Sequence, residues 1–312
     1  MYSIVNEKAA HAREAGSEKA IHAPVGRGDG TGRGHARKQE ALVAGEPSWI
    51  PPGVDTQRAN VARVYDYWLG GSHNFLADQD LGRAIAAVEP NVRAIARANR
   101  AFVGRAVRYL AAAGVRQFVD IGSGIPTQGN VHEVAQQAVA GARVTYVDTD
   151  PVAIAHSKAI LAGNENATII DADLRDPEKI LGHPAAQRLI DFGQPVGLLI
   201  VAILHFISAA EDPWRLVATL RDAIAPGSYL VLSHATNESK PTVAQAAEKV
   251  YNSSVATHVQ LRSRAEIRRF FDGFDLIDPG LVYIPLWRPD SSADVPSDPT
   301  QFWGLVGAGR KA

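Results

Sequence analysis

Between residues 118 and 136 the chain reads FVDIGSGIPTQGNVHEVAQ. An apolar run closes on Asp120, Gly122 and Gly124 flank Ser123, and a helical stretch follows. Glycines at this spacing let a backbone turn tightly and pass close to a ligand with no Cβ in the way. Two later runs also close on acids: RVTYVDTDP on Asp148, and ATIIDADLRDP on Asp173 and Leu174. A carboxylate at Asp148 can accept both ribose hydroxyls of an adenosine, a charge-assisted contact. One at Asp173 can take the adenine amino group while the Leu174 N–H meets the ring. Asp150 is read as the cap of a helix starting at Pro151.

Two adenosine-bearing ligands fit such a turn. A nicotinamide cofactor calls for G-x-G-x-x-G with its pyrophosphate at the helix N-terminus, but Thr127 stands in place of the third glycine, after Pro126. S-adenosylmethionine has no phosphate and needs only the close approach, with an acid at the strand end, where Asp120 stands. The turn favours the methyl donor and leaves the nicotinamide cofactor open.

The fourth apolar run, GLLIVAILHFI, carries Val201, Ala202, Ile203 and Leu204 where enzymes that methylate base amino groups have [DN]-P-P-[YFW]. That argues against a nucleic-acid amino group as acceptor. Ala202, at the strand's end, is counted with the cofactor-binding residues. His205 follows at the mouth of the site and His234 ends the fifth run; both are candidate general bases, because imidazole titrates near neutrality. Tyr251 and His258 stand behind them. A histidine in an apolar run is also a common core residue. HEVAQ is not H-E-x-x-H, since Gln136 replaces the second histidine, and no G-x-x-x-x-G-K-[ST] occurs. No metal site is expected.

The elements that must carry these residues follow from periodicity. From Thr56 the pattern turns helical, with Val61, Val64, Tyr65, Trp68 and Leu69 on one face and Gly70-Gly71 as the stop. A longer helix follows Pro90, with Val92, Ile95, Ala96, Asn99, Val103, Ala106 and Leu110 on one side and Gly114 ending it. Arg93, Arg97, Arg100, Arg105 and Arg108 lie mostly on the other and read as a solvated face. Asn130 and Glu133 form a capping box for the helix after the glycine turn. Apolar runs at 117–121, 143–148, 167–171, 197–203 and 228–234 alternate with helical stretches, which gives a parallel, doubly wound sheet. Runs near 274–278 and 301–307 are joined by a segment without helical period, so the last strand is expected to pair antiparallel.

With 32 Lys+Arg against 33 Asp+Glu, the net charge of −1 gives no general pull toward nucleic acid or an anionic membrane. The absence of cysteine excludes disulfides, thiolate metal sites and a cysteine nucleophile, and fits a reducing compartment. GLLIVAILHFI is too short to span a bilayer, and a cytoplasmic protein is expected. Residues 1–47 are glycine-rich and mixed in charge, GRGDGTGRGH included, and read as a disordered tail.

The order VDIGSG, YVDTDP, DADLRDP, VAILHFI and IAPGSYLVLSH resembles a class I S-adenosylmethionine-dependent methyltransferase. More narrowly, ARVYDYWLGGSHNF, RANRAF, FVDIGSGIPT, NVHEVAQ and YVDTDP are similar to a bacterial S-adenosyl methyltransferase family long described as a domain of unknown function. The likeness runs from about residue 48 to the C-terminus. It implies a Rossmann-like α/β sheet of seven strands with an antiparallel last strand, a helical lid at 48–90 and a substrate cap at 236–268. It implies that Gly122, Ser123, Gly124, Asp148 and Asp173 contact the donor, and that Arg63, Tyr65 and Tyr67 of the lid meet its carboxylate or sulfonium. Ser228 departs from the usual P-G-G turn before the fifth strand, a structural position. The expected acceptor is a small molecule, and a non-catalytic protein that binds S-adenosylmethionine or its product is the alternative.

Overall fold

The computed structural model describes residues 49–127, 129–255 and 258–312. The expected tail at 1–47 lies outside the described residues.

Five short apolar runs form parallel strands: β1 (Gln117–Ile121), β2 (Arg143–Asp148), β3 (Ala167–Asp171), β4 (Gly197–Val201) and β5 (Tyr229–Ala235). Three more, β6 (Phe274–Leu276), β7 (Val282–Tyr283) and β8 (Gly304–Lys311), complete the sheet. Its order is β3-β2-β1-β4-β5-β8-β6, with β7 also on β8. β8 runs antiparallel to β5, β6 and β7. The antiparallel closing strand agrees with the sequence. β7 is an eighth strand that periodicity could not mark: Val282 and Tyr283 pair with Val306 and Leu305, on the β8 edge that β6 takes up at Gly309–Lys311.

The central strands are buried on both faces, so they read as unbroken apolar runs. Val119, Ile121, Leu198, Ile200, Leu230 and Leu232 face a layer containing α8 (Pro213–Ala223), α6 (Pro177–Gly182) and α7 (Pro184–Leu189). Phe118, Val144, Tyr146, Leu199 and Val231 face α3 (Val92–Ala112), α4 (Val131–Ala138) and α5 (Pro151–Ile160). Ser228, buried, accepts a hydrogen bond from the Val196 N–H through its hydroxyl (3.0 Å), a tie that glycine could not make.

A third cluster forms a roof. α1 (Val61–Leu69), α2 (Leu76–Val88), the start of α3 and α9 (Pro241–Ser254) pack through Val64, Trp68, Leu81, Ile85, Ala244 and Trp303. α1 begins at Val61 rather than Thr56, because the Asn60 side chain accepts from the Ala62 N–H (2.8 Å) and starts the helix there. In the arginine stripe of α3, Arg93, Arg97 and Arg108 are exposed as read, whereas Arg100 and Arg105 are half-buried. Arg93 lies over the Tyr67 ring (4.9 Å), Arg105 donates to the carbonyls of Trp287 and Ile284, and Arg108 pairs with Asp290. Among the described residues, no helix is long and apolar enough to cross a membrane.

Candidate functional site

The strand order reverses between β1 and its two neighbours, β2 and β4, and ligands of such sheets sit outside the strand ends at that crevice. A cavity of about 280 Å³ opens there, near the lower end of the roughly 300–1,000 Å³ usual for small-molecule sites. Of the sequence-derived residues, Asp120, Gly122, Ser123, Gly124, Asp148, Asp173, Leu174, Ala202, Tyr65, His205, His234 and Tyr251 line it.

The glycine turn is held by β2: the N–H groups of Gly122 and Ser123 both donate to the Val147 carbonyl (2.8 and 3.1 Å). Gly122 and Gly124 have φ of 71° and 69°. Their reasons for being glycine differ. A Cβ on Gly122 would stand 2.8 Å from Ile203 Cγ1, whereas one on Gly124 would meet nothing within 4 Å. Gly122 serves the protein's own packing, and Gly124 leaves space. Beyond the turn, the expected capping box forms, with Glu133 accepting from the Asn130 N–H (2.8 Å). Asp150 caps α5 as read, accepting from Val152 and Ala153.

Asp148 is committed differently from the expectation. Its Oδ1 accepts from the N–H groups of Thr149 (2.8 Å) and Asp150 (2.9 Å), and Oδ2 from Gly124 (2.7 Å). An oxygen has two lone pairs, so one remains, on Oδ2, and a full bidentate grip on a ribose is not available in this arrangement. Burial pushes the Asp148 carboxyl up, against the pull of these amides. Asp173 is half-exposed; it accepts from the Arg175 N–H and pairs with the Arg175 guanidinium (3.3 Å), which also meets Glu211. Ala202, after β4, sits at φ 56°, a left-handed conformation uncommon outside glycine. Its N–H is held by the carbonyl and hydroxyl of Ser233.

Asp120 is 6% exposed and faces the cavity. Burial raises its carboxyl to about 7; Arg100 opposes and Asp148 adds to the effect. Arg100 is a candidate site residue that the sequence hid within a stripe of similar arginines. It lines the cavity, its Nε is buried without a partner, and no described carboxylate lies within ion-pair distance of it.

Two lid residues stand elsewhere. Arg63, buried, has its Nε 3.4 Å from Asp78 and 3.9 Å from Asp150, and donates to the carbonyls of Asp55 and Arg58. Tyr67 packs on Gly82 and under Arg93. Neither lines the cavity, because residues two apart on a helix point roughly 200° apart and Tyr65 takes the inward face. The Tyr65 hydroxyl donates to the Ala96 carbonyl (3.1 Å) and accepts from Asn99 (3.0 Å).

His234 is not free to act as a base. Its Nδ1 lies 2.7 Å from the Ala235 carbonyl, which only accepts, so that nitrogen carries the proton. Its Nε2 then accepts from Arg262 Nη1 (2.9 Å). Arg262, fully buried, also donates to the carbonyls of Leu204 and Ile207, fixing the turn that carries His205. His205 keeps a place on the cavity wall, but burial and then Arg262 push its imidazole down to about 3. His258 is exposed and off the wall. From the expected cap at 236–268, Ala247, Glu248, Tyr251, Val259 and Leu261 reach the cavity, whereas Arg262 and Ile267 are buried in the body of the fold.

Comparison with known proteins gives a consistent picture. Residues 47–312 match the family model described as S-adenosyl methyltransferase. A solved DUF574 family protein from Streptomyces avermitilis is 36% identical with a TM-score of 0.80, over 83% of this chain and 99% of that one. A candidate methyltransferase from Thermobifida fusca is 41% identical with a TM-score of 0.79, over 85% of this chain and 99% of that one. No curated protein matches the chain.

Proposed function

Since the chain belongs to the S-adenosyl methyltransferase family, we propose that the donor occupies the polar end of the cavity and that a small-molecule acceptor occupies the end under the roof. The observation that carries this reading is the continuity of one cavity from the glycine turn to a chamber walled by Tyr65, Trp68, Phe206 and Tyr251. Bound S-adenosylmethionine supplies a methyl group on a positively charged sulfonium carbon, already activated for displacement.

The residues at the polar end fit that donor. Gly124 offers open space for close approach, the spare lone pair of Asp148 suits a ribose hydroxyl, and Asp173 and Leu174 suit adenine. Arg100, whose Nε is buried without a partner, and Asp120, a buried carboxyl with no hydrogen-bond partner among the described residues, suit the carboxylate and ammonium of the methionyl part. With the donor activated, the protein's task is to hold the nucleophile in line and exclude water. Among the described residues, the cavity wall carries arginines only toward the donor end, Arg100 and Arg175, and no lysine, so an acceptor held by its phosphates is disfavoured.

Calorimetric titration with S-adenosylmethionine, S-adenosylhomocysteine and NAD tests the reading. The first two should bind and NAD should not. Arg100→Met should weaken both by roughly 10- to 100-fold, the loss of a hydrogen-bonded charge contact of about 1.5–3 kcal/mol, with unfolding of the free protein little changed. Unaltered affinity in the variant would remove Arg100 from the site, and binding of NAD alone would overturn the donor.

A further inference from the structure

Glu248 stands on the packed side of its helix. Ala244, Ala247, Glu248 and Tyr251 fall at i, i+3, i+4 and i+7 on α9, the face that the helix turns inward. Ala244 and Ala247 are buried in the roof cluster, and Ala247, Glu248 and Tyr251 reach the cavity wall. The solvent face carries Gln245 and Lys249 instead. Among the described residues, Glu248 is the only charged side chain that α1, α2 and α9 bring to that wall.

The polar groups around this half-buried carboxylate have other partners. Lys240, at the start of α9, pairs with Glu89 (3.0 Å). Asn252, one turn beyond Glu248, is engaged at both ends by the backbone of Val259. Arg262 is held by His234 and the carbonyls of Leu204 and Ile207. A carboxylate drawn partly out of water, with no hydrogen bond or ion pair among the described residues, is a place for a donor or a cation from outside the chain.

The chamber beside it is walled by rings. Tyr251 meets Trp68 (centroids 6.2 Å) and Phe206 (6.0 Å) edge-on. His205, on the same wall, is kept neutral by burial and Arg262. Aromatic rings attract a cation over their faces, and a carboxylate among them supplies a full opposite charge. An anionic guest would instead meet Glu248 as a like charge.

Resting on the donor reading above, we propose that the acceptor is a small amine, bound with its ammonium group against Glu248 and its apolar body among Trp68, Phe206 and Tyr251. Recognition of the ammonium does not depend on which atom takes the methyl group. It sets what the chamber admits: a positive group joined to an apolar frame.

The test titrates the S-adenosylhomocysteine complex, which cannot react, with phenethylamine, phenethyl alcohol and phenylacetate. The three place an ammonium, a hydroxyl or a carboxylate at the same distance from one ring, and an aliphatic amine is an ammonium ion at neutral pH, as lysine is. The amine should bind roughly tenfold more tightly than the alcohol, the difference between a charge-assisted hydrogen bond and a neutral one, and phenylacetate should bind most weakly. In Glu248→Gln, which keeps the shape, the amine's lead over the alcohol should vanish. Equal binding of amine and alcohol by the unaltered protein would overturn the proposal without recourse to any variant. So would a lead that survives Glu248→Gln, a preference for phenylacetate, or failure of all three probes to bind while the nucleoside does. If Glu248→Gln weakens S-adenosylhomocysteine as much as it weakens the amine, Glu248 belongs to the donor and the proposal is overturned as well. If the unaltered protein does not bind S-adenosylhomocysteine, the donor reading itself fails and the acceptor proposal falls with it.

Discussion

Replacing Asp120 with asparagine should stabilise the ligand-free protein at about pH 8 and leave it little changed at about pH 4. The carboxyl sits at about 7 in the fold against an ordinary 3.8, because burial strips the charged form of water and Asp148 repels it. A folded value raised above the unfolded one means that ionisation opposes folding. The cost is absent below about pH 4, grows as pH rises, and is fully present above about 7. Roughly three units at about 1.4 kcal/mol each give an upper bound near 4 kcal/mol at pH 8, lowered by whatever attraction to Arg100 the asparagine forfeits. Urea unfolding of both proteins at several pH values measures the difference directly. The gap should open between pH 4 and 7 and then level. Parallel curves across that range would show that Asp120 is not a buried, partnerless carboxyl, and would refute the reasoning. A second consequence follows where a cationic donor faces this group. Binding near pH 7 should release a proton, visible as a binding heat that depends on the buffer, and Asp120→Asn should abolish that dependence.

Asp148→Ala should cost both stability and nucleoside affinity. It orphans the N–H groups of Gly124, Thr149 and Asp150, at up to about 1–3 kcal/mol each where water cannot reach. Asp148→Asn, which keeps one acceptor oxygen, should be milder in urea unfolding; equal losses would mean that the turn does not depend on this carboxylate. Arg63→Ala should destabilise by roughly 3–5 kcal/mol, since it strips the buried Asp78 and Asp150 of their cation. A loss within experimental error of zero would show that these carboxylates are satisfied by backbone amides alone.

Much of the fold was legible because its signals are local. The glycine turn, the caps at Asn130 and Asp150, and the long apolar face of α3 each depend on residues within a few positions of one another. The donor-end acids were legible for a related reason: a parallel strand delivers its last residue to one edge of the sheet, so Asp120, Asp148 and Asp173 had to gather. What escaped depends on distant partners. Arg100 looks like its neighbours until the cavity is seen to open beside it, whereas Arg105 and Arg108 dock on residues 284–290. Arg63 lies in a segment that reads as a lid, and only the fold brings Asp78 and Asp150 to it. His234 was a fair candidate base until Arg262, far along the chain, turned out to hold its second nitrogen.

The place of β8 bears on how the chain comes to be made. Residues 304–311 sit between β5 and β6, paired along the whole of β5 from Tyr229 to Ala235. A chain emerging from the ribosome presents β1 to β5 well before the strand that covers the β5 edge, and an uncovered edge is a template for mispairing with other chains. Until residues 304–311 have cleared the exit tunnel, the β5 edge lacks the strand that covers it in the finished sheet. Completion of the sheet is thereby tied to synthesis of this segment, since before it the β5 edge stands open.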